Sequence, residues 1–513
     1  MDSRPVTRRG RCGRCHSAFA YACRRIPRPP FSSRTHLLSD RQRIHLIGVC
    51  GTAMATLAAL LKSRGHDVQG SDQNVYPPMS DFLVAQGIET FAGYAAEHIT
   101  SDIDLVVVGN AISRGNAELE TVLERKVRHC SLPEAIRDNF LWGSRSIVIA
   151  GTHGKTTTTS LTAWLLTSGG LDPSLLVGGI ALNFAEHGSS YRVGGGRDFV
   201  IEGDEYDSAF FDKTAKFLKY LPDIAVIGNI EFDHADIYAD LDAVLLAFRR
   251  LANLVPRNGL LLLGADSPHA HALGRIAHCP VETFGFGADA TWRAEDIQHR
   301  DGSTRFAVRR QNELFGRFES PLLGEHNVRN ALASIAVGAH VGLSAAALAA
   351  GVKSFKGIKR RLETVGVADG VTVLDDFAHH PTAVHETLSA LRLGYPGRRL
   401  WAVFEPRSAS SCRRVFQDDF ARAFGMADQV ILAAVFRSSL PEAERLDAVQ
   451  LVDDLQGRGQ QARHIPDIDA IVDTIVREHR AGDVVVLMSN GGFGGIHAKL
   501  ISSLNGPERA AHS

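Results

Sequence analysis

The stretch around Lys155 constrains the fold of this chain more than any other part of the sequence. Ser146-Ile-Val-Ile-Ala150 is a short β-branched run typical of a buried strand, Gly151-Thr-His-Gly-Lys-Thr-Thr157 follows at once, and an apolar helix is predicted for residues 158–166. At such a strand-to-helix turn, backbone N–H groups can surround a phosphate, Lys155 can reach its β and γ oxygens, and the Thr156 hydroxyl can bind Mg²⁺. A glycine turn with a surface lysine is the alternative, but the flanking strand and helix favour phosphate binding.

A second nucleotide-binding pattern lies nearer the start of the chain. Ile44-His-Leu-Ile-Gly48 predicts a buried strand, residues 53–64 a helix, and residues 66–72 a strand that ends in an acid. This is the beginning of a βαβ unit whose helix N-terminus can face a diphosphate. The third glycine of the dinucleotide fingerprint is missing, so a nucleotide-sugar diphosphate fits at least as well as a dinucleotide. The candidate residues are Gly48, Gly51, Thr52, Asp72 and, at the end of a later predicted strand, Asn110.

Acidic side chains follow the next predicted strands. Residues 199–202 and 224–229 are both apolar enough to be buried strands. The polar groups at or after the ends of these strands are Glu202, Asp204, Glu205, Asp207, Glu231, Asp233, His234 and Asp236. Oxygen ligands with a single imidazole suit Mg²⁺ better than zinc. A metal site needs only two or three of these groups, and composition does not choose among them.

Length and charge narrow the class of protein further. A chain of 513 residues suggests three domains, and 56 Lys+Arg against 57 Asp+Glu give no electrostatic case for a nucleic-acid partner. Seven Cys are too few for a disulfide scaffold, which favours a reduced cytoplasmic protein, and no apolar stretch predicts membrane insertion. Residues 1–40 hold nine Arg and two acids without apolar periodicity, so a basic disordered leader is expected there.

The motifs occur in the order that the Mur ligases use, and the chain resembles that family over about residues 43–501. The resemblance rests on Gly151-Thr-His-Gly-Lys-Thr-Thr-Thr158, Glu202-Gly-Asp-Glu-Tyr-Asp207, Asn229-Ile-Glu-Phe-Asp-His234, Gly324-Glu-His-Asn-Val-Arg-Asn330, Lys359-Arg-Arg-Leu-Glu363 and Asp375-Asp-Phe-Ala-His-His-Pro381. It implies an ATP-dependent, ADP-forming acid–amine ligase of peptidoglycan synthesis, with ties to cell wall biogenesis, cell shape and cell division.

The resemblance also implies an α/β protein of three domains. These are an N-terminal Rossmann-like UDP-binding domain (residues 41–143), a central P-loop ATPase with a mainly parallel sheet (144–358) and a C-terminal Rossmann-like domain (359–513). Strands that alternate with helices independently predict parallel α/β sheets throughout.

Site residues carry over from the family position by position. The resemblance implies that Lys155, Glu202, His234 and Arg361 are catalytic and that Thr156, Glu202 and His234 hold Mg²⁺. It implies that ATP is bound by Gly151, Thr152, His153, Gly154, Lys155, Thr156, Thr157, His326, Asn327, Asn330, Arg361 and Asp376. His153 is expected to be positioned through its backbone rather than to act as a base. His379 and His380 are expected to shape the edge of the active site rather than to bind metal.

Within the family, the chain is most similar to the branch that attaches L-Ala-γ-D-Glu-meso-diaminopimelate to UDP-N-acetylmuramate in peptidoglycan recycling. Other branches carry a carbamylated lysine that bridges the metals. This chain has Ala247-Phe-Arg249 in that region and no lysine, which is also the pattern of the UDP-N-acetylmuramate–L-alanine ligase branch. That L-alanine ligase is the alternative function. Arg407 and Arg413 are candidates for binding the peptide carboxylates, although the sequence around them keeps only Arg-Ser of the branch pattern R-S-N-T-M-K.

Two other classes of protein fit this sequence less well. An oxidoreductase built on the N-terminal unit would not need the loop at Lys155, and a nucleotide switch would hydrolyse ATP without consuming an amine. The sequence does not predict the oligomeric state.

Overall fold

The computed structural model describes residues 41–77, 79–300, 302–436 and 440–509. The predicted basic leader, residues 1–40, lies outside the described part of the chain, so its disorder stays a prediction. Within the described residues, no helix has both the length and the apolar character needed to cross a bilayer.

The N-terminal sheet is parallel and has the strand order β3-β2-β1-β4-β5, the order of a Rossmann fold. Its strands are β1 (Arg43–Ile47), β2 (Asp67–Asp72), β3 (Glu89–Ala92), β4 (Leu105–Val108) and β5 (His129–Ser131). The helices beside it are α1 (Thr52–Ser63), α2 (Met79–Ala85), α3 (Ala117–Glu124) and α4 (Leu132–Ile136). The chain crosses from one side of β1 to the other between β3 and β4. This opens a crevice at the carboxyl ends of β1 and β4.

The central sheet has the order β17-β16-β15-β14-β13-β12-β6-β9-β7-β8, with the strand that precedes the glycine loop, β6, in its interior. Its strands are β6 (Arg145–Ala150), β7 (Ser174–Ala181), β8 (Ser189–Arg192), β9 (Asp198–Gly203), β12 (Ile224–Ile227), β13 (Leu260–Gly264), β14 (Val281–Gly285), β15 (Trp292–Arg300), β16 (Ser303–Arg310) and β17 (Glu313–Ser320). Two further strands, β10 (Asp207–Ala209) and β11 (Asp212–Ala215), form a separate hairpin. The helices are α5 (Lys155–Ser168), α6 (Leu241–Leu254), α7 (Pro268–Ala272), α8 (Glu325–His340) and α9 (Ala345–Lys353).

The C-terminal sheet has the order β18-β19-β23-β20-β21-β22, and all of its pairs are parallel except β18 with β19. Its strands are β18 (Glu363–Ala368), β19 (Val371–Asp376), β20 (Leu400–Phe404), β21 (Gln429–Leu432), β22 (Gln461–His464) and β23 (Val484–Met488). The helices are α10 (Pro381–Gly394), α11 (Gln417–Ala423), α12 (Ala448–Gly457), α13 (Ile468–Glu478) and α14 (Ile496–Arg509). The proposed domain boundaries at 143/144 and 358/359 fall between sheets and stay predictions.

The α/β architecture with mostly parallel sheets is confirmed, but the expectation of parallel sheets throughout is wrong. β15, β16 and β17 form an antiparallel meander at the edge of the central sheet. Gln311 and Asn312 join β16 to β17 with φ of +50° and +70°, a two-residue hairpin turn. Because so short a connection can join only antiparallel neighbours, this edge could not continue the parallel pattern.

Candidate active site

The glycine loop after β6 has the geometry of a phosphate cradle. Gly151 and Gly154 have φ of +134° and +79°, and a Cβ on Gly154 would lie 2.4 Å from Asn330 Oδ1, so glycine is required there. The Thr152 N–H donates to the Asn229 carbonyl at 3.0 Å, which ties the loop to the end of β12. α5 begins at Lys155, so its free N–H groups and positive dipole end face the loop.

Thr156 and Glu202 bring a hydroxyl and a carboxylate together next to this loop. The Thr156 hydroxyl donates to Glu202 Oε1 at 2.9 Å, and the Gly178 N–H donates to Glu202 Oε2 at 2.7 Å. Burial raises the pKa of Glu202. A cation beside this carboxylate would act in the opposite direction and favour its charged form. Two hard oxygen donors within hydrogen-bond distance of each other fit Mg²⁺.

Lys155, Glu205 and His234 form a charged cluster beneath the loop. Lys155 Nζ lies 2.8 Å from Glu205 Oε2, and His234 Nε2 donates to Glu205 Oε1 at 3.1 Å. Burial opposes the charged forms of Lys155 and His234, but Glu205 and other nearby carboxylates outweigh it and raise the pKa of both. The sequence did not single out Glu205 from its acidic neighbours.

The loop that ends at His234 also touches the C-terminal domain. The Thr382 hydroxyl donates to Glu231 Oε2 at 2.6 Å, and His153 Nε2 donates to the same oxygen at 3.4 Å. His380 Nδ1 lies 3.7 Å from that oxygen. His153, Glu231 and His380 therefore place three donor atoms within 4.8 Å of one another, a group that could hold a metal ion. The backbone N–H of His153 donates to Asn229 Oδ1 at 2.8 Å.

Arg361 and Asp376 come from the C-terminal domain. Arg361 Nη2 reaches Thr156 Oγ1 at 3.5 Å, and its guanidinium lies 4.9 Å from the centre of the Phe377 ring. Asp376 accepts hydrogen bonds from the N–H groups of Leu362 and Ala378 at 2.7 and 2.9 Å. Burial lowers the pKa of Arg361 and raises that of Asp376. The structure brings Arg361 to the first turn of α5, and Asp376 holds the backbone beside it.

The residues expected around the nucleotide base line up on α8. Asn330 Nδ2 donates to Asn327 Oδ1 at 3.1 Å, and the Thr158 hydroxyl donates to Asn330 Oδ1 at 3.2 Å. His326 lies one residue before Asn327, and burial lowers its pKa. α8 therefore presents these groups beside the start of α5.

One cleft of about 570 Å³ collects most of these groups. It is lined by residues of the N-terminal, central and C-terminal parts of the chain, among them Thr52, Lys155, Glu202, His234, Arg361 and Asp376. The sequence placed these residues up to 324 positions apart in separate motifs, and the fold gathers them on one surface.

The N-terminal candidates surround the turn after β1. Gly48 has a φ of +86°, and Gly51 precedes α1 as its N-cap. Asp72 Oδ2 accepts a hydrogen bond from the Cys50 N–H at 2.9 Å, so this acid fastens the turn in the structure. Asn110 donates to Asp207 Oδ1 at 3.0 Å, which connects the edge of the N-terminal sheet to the central domain.

Arg407 and Arg413 have different surroundings. The Arg407 guanidinium stacks on Phe436 at 3.8 Å and lies 3.6 Å from Glu405, and a Cβ on Gly491 would meet Arg407 Nε at 2.1 Å. Gly491 follows Asn490, which lines the cleft. Arg413 pairs with Glu444 at 3.2 Å. Each arginine therefore has a carboxylate neighbour, and Arg407 is the one that lies near the cleft.

Comparisons with known proteins agree with this arrangement. Residues 43–140 match the Mur ligase family, catalytic domain, residues 149–338 the Mur ligase middle domain, and residues 360–491 the Mur ligase, glutamate ligase domain. The UDP-N-acetylmuramate–L-alanyl-γ-D-glutamyl-meso-2,6-diaminoheptandioate ligase of Escherichia coli K12 is 41% identical over 470 residues, which are 91% of this chain and 100% of that protein. The UDP-N-acetylmuramate–L-alanine ligase of Salinibacter ruber is 36% identical over 88% of this chain and 92% of its own.

A solved structure gives the same picture. The murein peptide ligase of Psychrobacter arcticus 273-4 superposes with a TM-score of 0.67 at 35% identity, covering 91% of this chain and 99% of that one. Sequence, fold and the order of the site motifs thus point the same way, and this chain belongs to the Mur ligase family.

Proposed function

We propose that this chain is an ATP-dependent ligase that joins L-Ala-γ-D-Glu-meso-diaminopimelate to UDP-N-acetylmuramate in peptidoglycan recycling. The observation that carries the proposal is the convergence of Lys155, the Thr156–Glu202 pair and Arg361 on one cleft, in a chain that is 41% identical to a ligase named for these substrates.

The chemistry follows from what an amide bond requires. The muramate carboxylate is a poor electrophile at neutral pH, so one of its oxygens first attacks the γ-phosphorus of ATP. The bond to the β,γ-bridging oxygen breaks and ADP leaves. The peptide amine then attacks the acyl carbon, the bond to the phosphate oxygen breaks, and the nitrogen loses a proton as inorganic phosphate departs. Lys155, at the start of α5, would stabilise the charge on the transferring phosphoryl group.

Thr156 and Glu202 would hold Mg²⁺, with His234 as a further ligand. The bound ion would supply electrostatic stabilisation to the phosphate oxygens. Arg361 would reach the same phosphates, and His326, Asn327 and Asn330 would contact the nucleotide. The turn after β1, with Gly48, Gly51, Thr52, Asp72 and Asn110, would hold the UDP-sugar at the mouth of the cleft. Arg407 would bind a peptide carboxylate in a bidentate pair.

The acyl-phosphate intermediate gives a reason for the C-terminal domain to close over the site. An acyl phosphate is destroyed by water, so the C-terminal domain must cover the site during the reaction. Arg361 and Thr382 both reach the central domain in this structure. Because ATP and UDP-sugars are cytoplasmic metabolites, we also propose that the reaction takes place in the cytoplasm.

The test is ATP-dependent coupling of UDP-N-acetylmuramate to the tripeptide or to L-alanine, measured by ADP release and by the mass of the product. We expect kcat/KM for the tripeptide to exceed that for L-alanine by at least about a hundredfold, the scale of two charge-assisted hydrogen bonds. A preference for L-alanine would instead support the alternative ligase, whose relative in Salinibacter ruber is 36% identical.

A further inference from the structure

A buried serine of the C-terminal domain is hydrogen-bonded to the turn that carries His234. The Ser410 hydroxyl donates to Asp233 Oδ1 at 2.5 Å and accepts from the His234 N–H at 3.0 Å. Ser410 is 2% exposed and Asp233 is 5% exposed. The hydrogen bond to Asp233 is buried and the one from His234 is partly buried, and both join residues more than 170 positions apart in the chain.

The backbone at His234 needs such support. Its φ of +54° lies in the left-handed region, which is unfavourable for a side chain with a Cβ. The Asp233 carboxylate accepts from the same N–H at 2.7 Å, so one carboxylate and one hydroxyl hold this turn. The conformation directs the imidazole to Glu205, the partner of Lys155.

Neighbouring serines hold the loop around Ser410 by contacts within that loop. The Ser411 hydroxyl accepts from the Arg407 N–H at 3.0 Å and lies 2.8 Å from the Ser408 hydroxyl, which in turn accepts from the Ser411 N–H at 2.9 Å. Ser408 and Ser411 thus shape the loop, while Ser410 directs its hydroxyl across the domain boundary.

We infer that Ser410 is a positioning residue for the ligase reaction: when the C-terminal domain is closed, its hydroxyl fixes the Asp233–His234 turn so that the imidazole faces Glu205 and Lys155. Docking of the C-terminal domain thereby completes a part of the site that belongs to the central domain. The kinetic consequence rests on the proposed function, whereas the structural consequence does not.

The test compares Ser410→Ala and Ser410→Thr with Ser411→Ala, a matched control in which a buried hydroxyl is lost from the same loop. Two quantities are measured on the full chain: hydrogen–deuterium exchange of the segment containing His234, and kcat with KM for ATP. Threonine keeps the hydroxyl and should preserve both hydrogen bonds.

We expect Ser410→Ala to increase exchange at His234 and to lower kcat, each by about tenfold, the scale of one hydrogen bond to a charged group, with KM for ATP within about twofold. Ser410→Thr should restore both quantities. Ser411→Ala should lower the melting temperature while exchange at His234 stays at the wild-type level.

The inference is overturned if Ser410→Ala changes neither quantity, if only one of the two changes, or if Ser410→Thr is as impaired as Ser410→Ala. Absence of ligase activity in the wild type would refute the proposed function instead, and the exchange measurement would still decide whether Ser410 holds the turn.

Discussion

Replacement of Lys155 by alanine is the most direct test of the site. In the structure its ammonium lies at the start of α5, 2.8 Å from the Gly151 carbonyl and 2.8 Å from Glu205. Loss of one cation aimed at a transferring phosphoryl group costs about 3 kcal/mol of transition-state stabilisation, which is roughly a hundredfold in kcat. We therefore expect ADP release at saturating substrates to fall by about a hundredfold or more.

The same substitution should also affect stability, because Glu205 is 2% exposed. Without Lys155 its carboxylate keeps His234 at 3.1 Å but loses its closest cation. A buried group left with fewer partners costs about 1–3 kcal/mol, so the free energy of unfolding should fall by that amount. The double variant Lys155→Ala/Glu205→Gln removes the uncompensated charge and should recover most of this stability.

The two variants separate the two roles of the lysine. If Lys155 stabilises the phosphoryl group, the double variant should be stable yet as slow as Lys155→Ala. Lys216→Ala is the matched control, because Lys216 forms a comparable pair with Asp204 at 2.7 Å in the same acidic segment. It should lose stability and keep kcat within about threefold. Recovery of kcat in the double variant would refute the reasoning, since Lys155 would then serve only to neutralise Glu205.

Three further expectations concern other parts of the chain. Deletion of residues 1–40 should leave kcat and the melting temperature unchanged, as measured side by side with the full chain. Gly491→Ala should displace Arg407, so Gly491→Ala and Arg407→Ala should each lower tripeptide kcat/KM about tenfold, and Gly491→Ala should leave the melting temperature unchanged. Burial lowers the pKa of His379 and His380 to about 4, so the unfolded chain binds more protons than the folded one between pH 6.5 and 4. Urea unfolding should therefore show stability falling as the pH drops through this window, by up to roughly 3 kcal/mol for each histidine.

The sequence predicted the local parts of the fold well. The strand, the glycine turn and the helix around Lys155 are formed by neighbours in the chain, so periodicity and glycine were enough to find them. The helix begins at Lys155 rather than near residue 158, and the threonines of its first turn contact groups outside the helix: Thr156 donates to Glu202 and Thr158 to Asn330. Thr162, one turn further on, similarly donates to Ser334 of α8 at 3.1 Å, a contact between residues 172 positions apart.

The sequence allows a prediction for a site residue when its role depends on a single motif. Which acid pairs with which cation depends on side chains from separate motifs, and local pattern cannot choose between Glu205 and its neighbours. The contacts of Ser410 and Thr382 across the domain boundary were missed for the same reason. Arg407 and Arg413 looked alike in the sequence, and only the fold shows that one stacks on Phe436 while the other pairs with Glu444.

Most of the groups that would activate the carboxylate belong to the central domain. Glu202 lies near the end of β9, and Lys155 and Thr156 begin α5. The C-terminal domain would add Arg361 to this centre. The groups that would select the amine, Arg407 and the turn at Gly491, lie in loops that follow β20 and β23 of the C-terminal domain. A change in those loops can alter the accepted amine without moving the phosphate loop. Ligases for alanine and for a tripeptide can therefore share one activating centre, and the contact between Arg407 and Gly491 is where we expect them to differ.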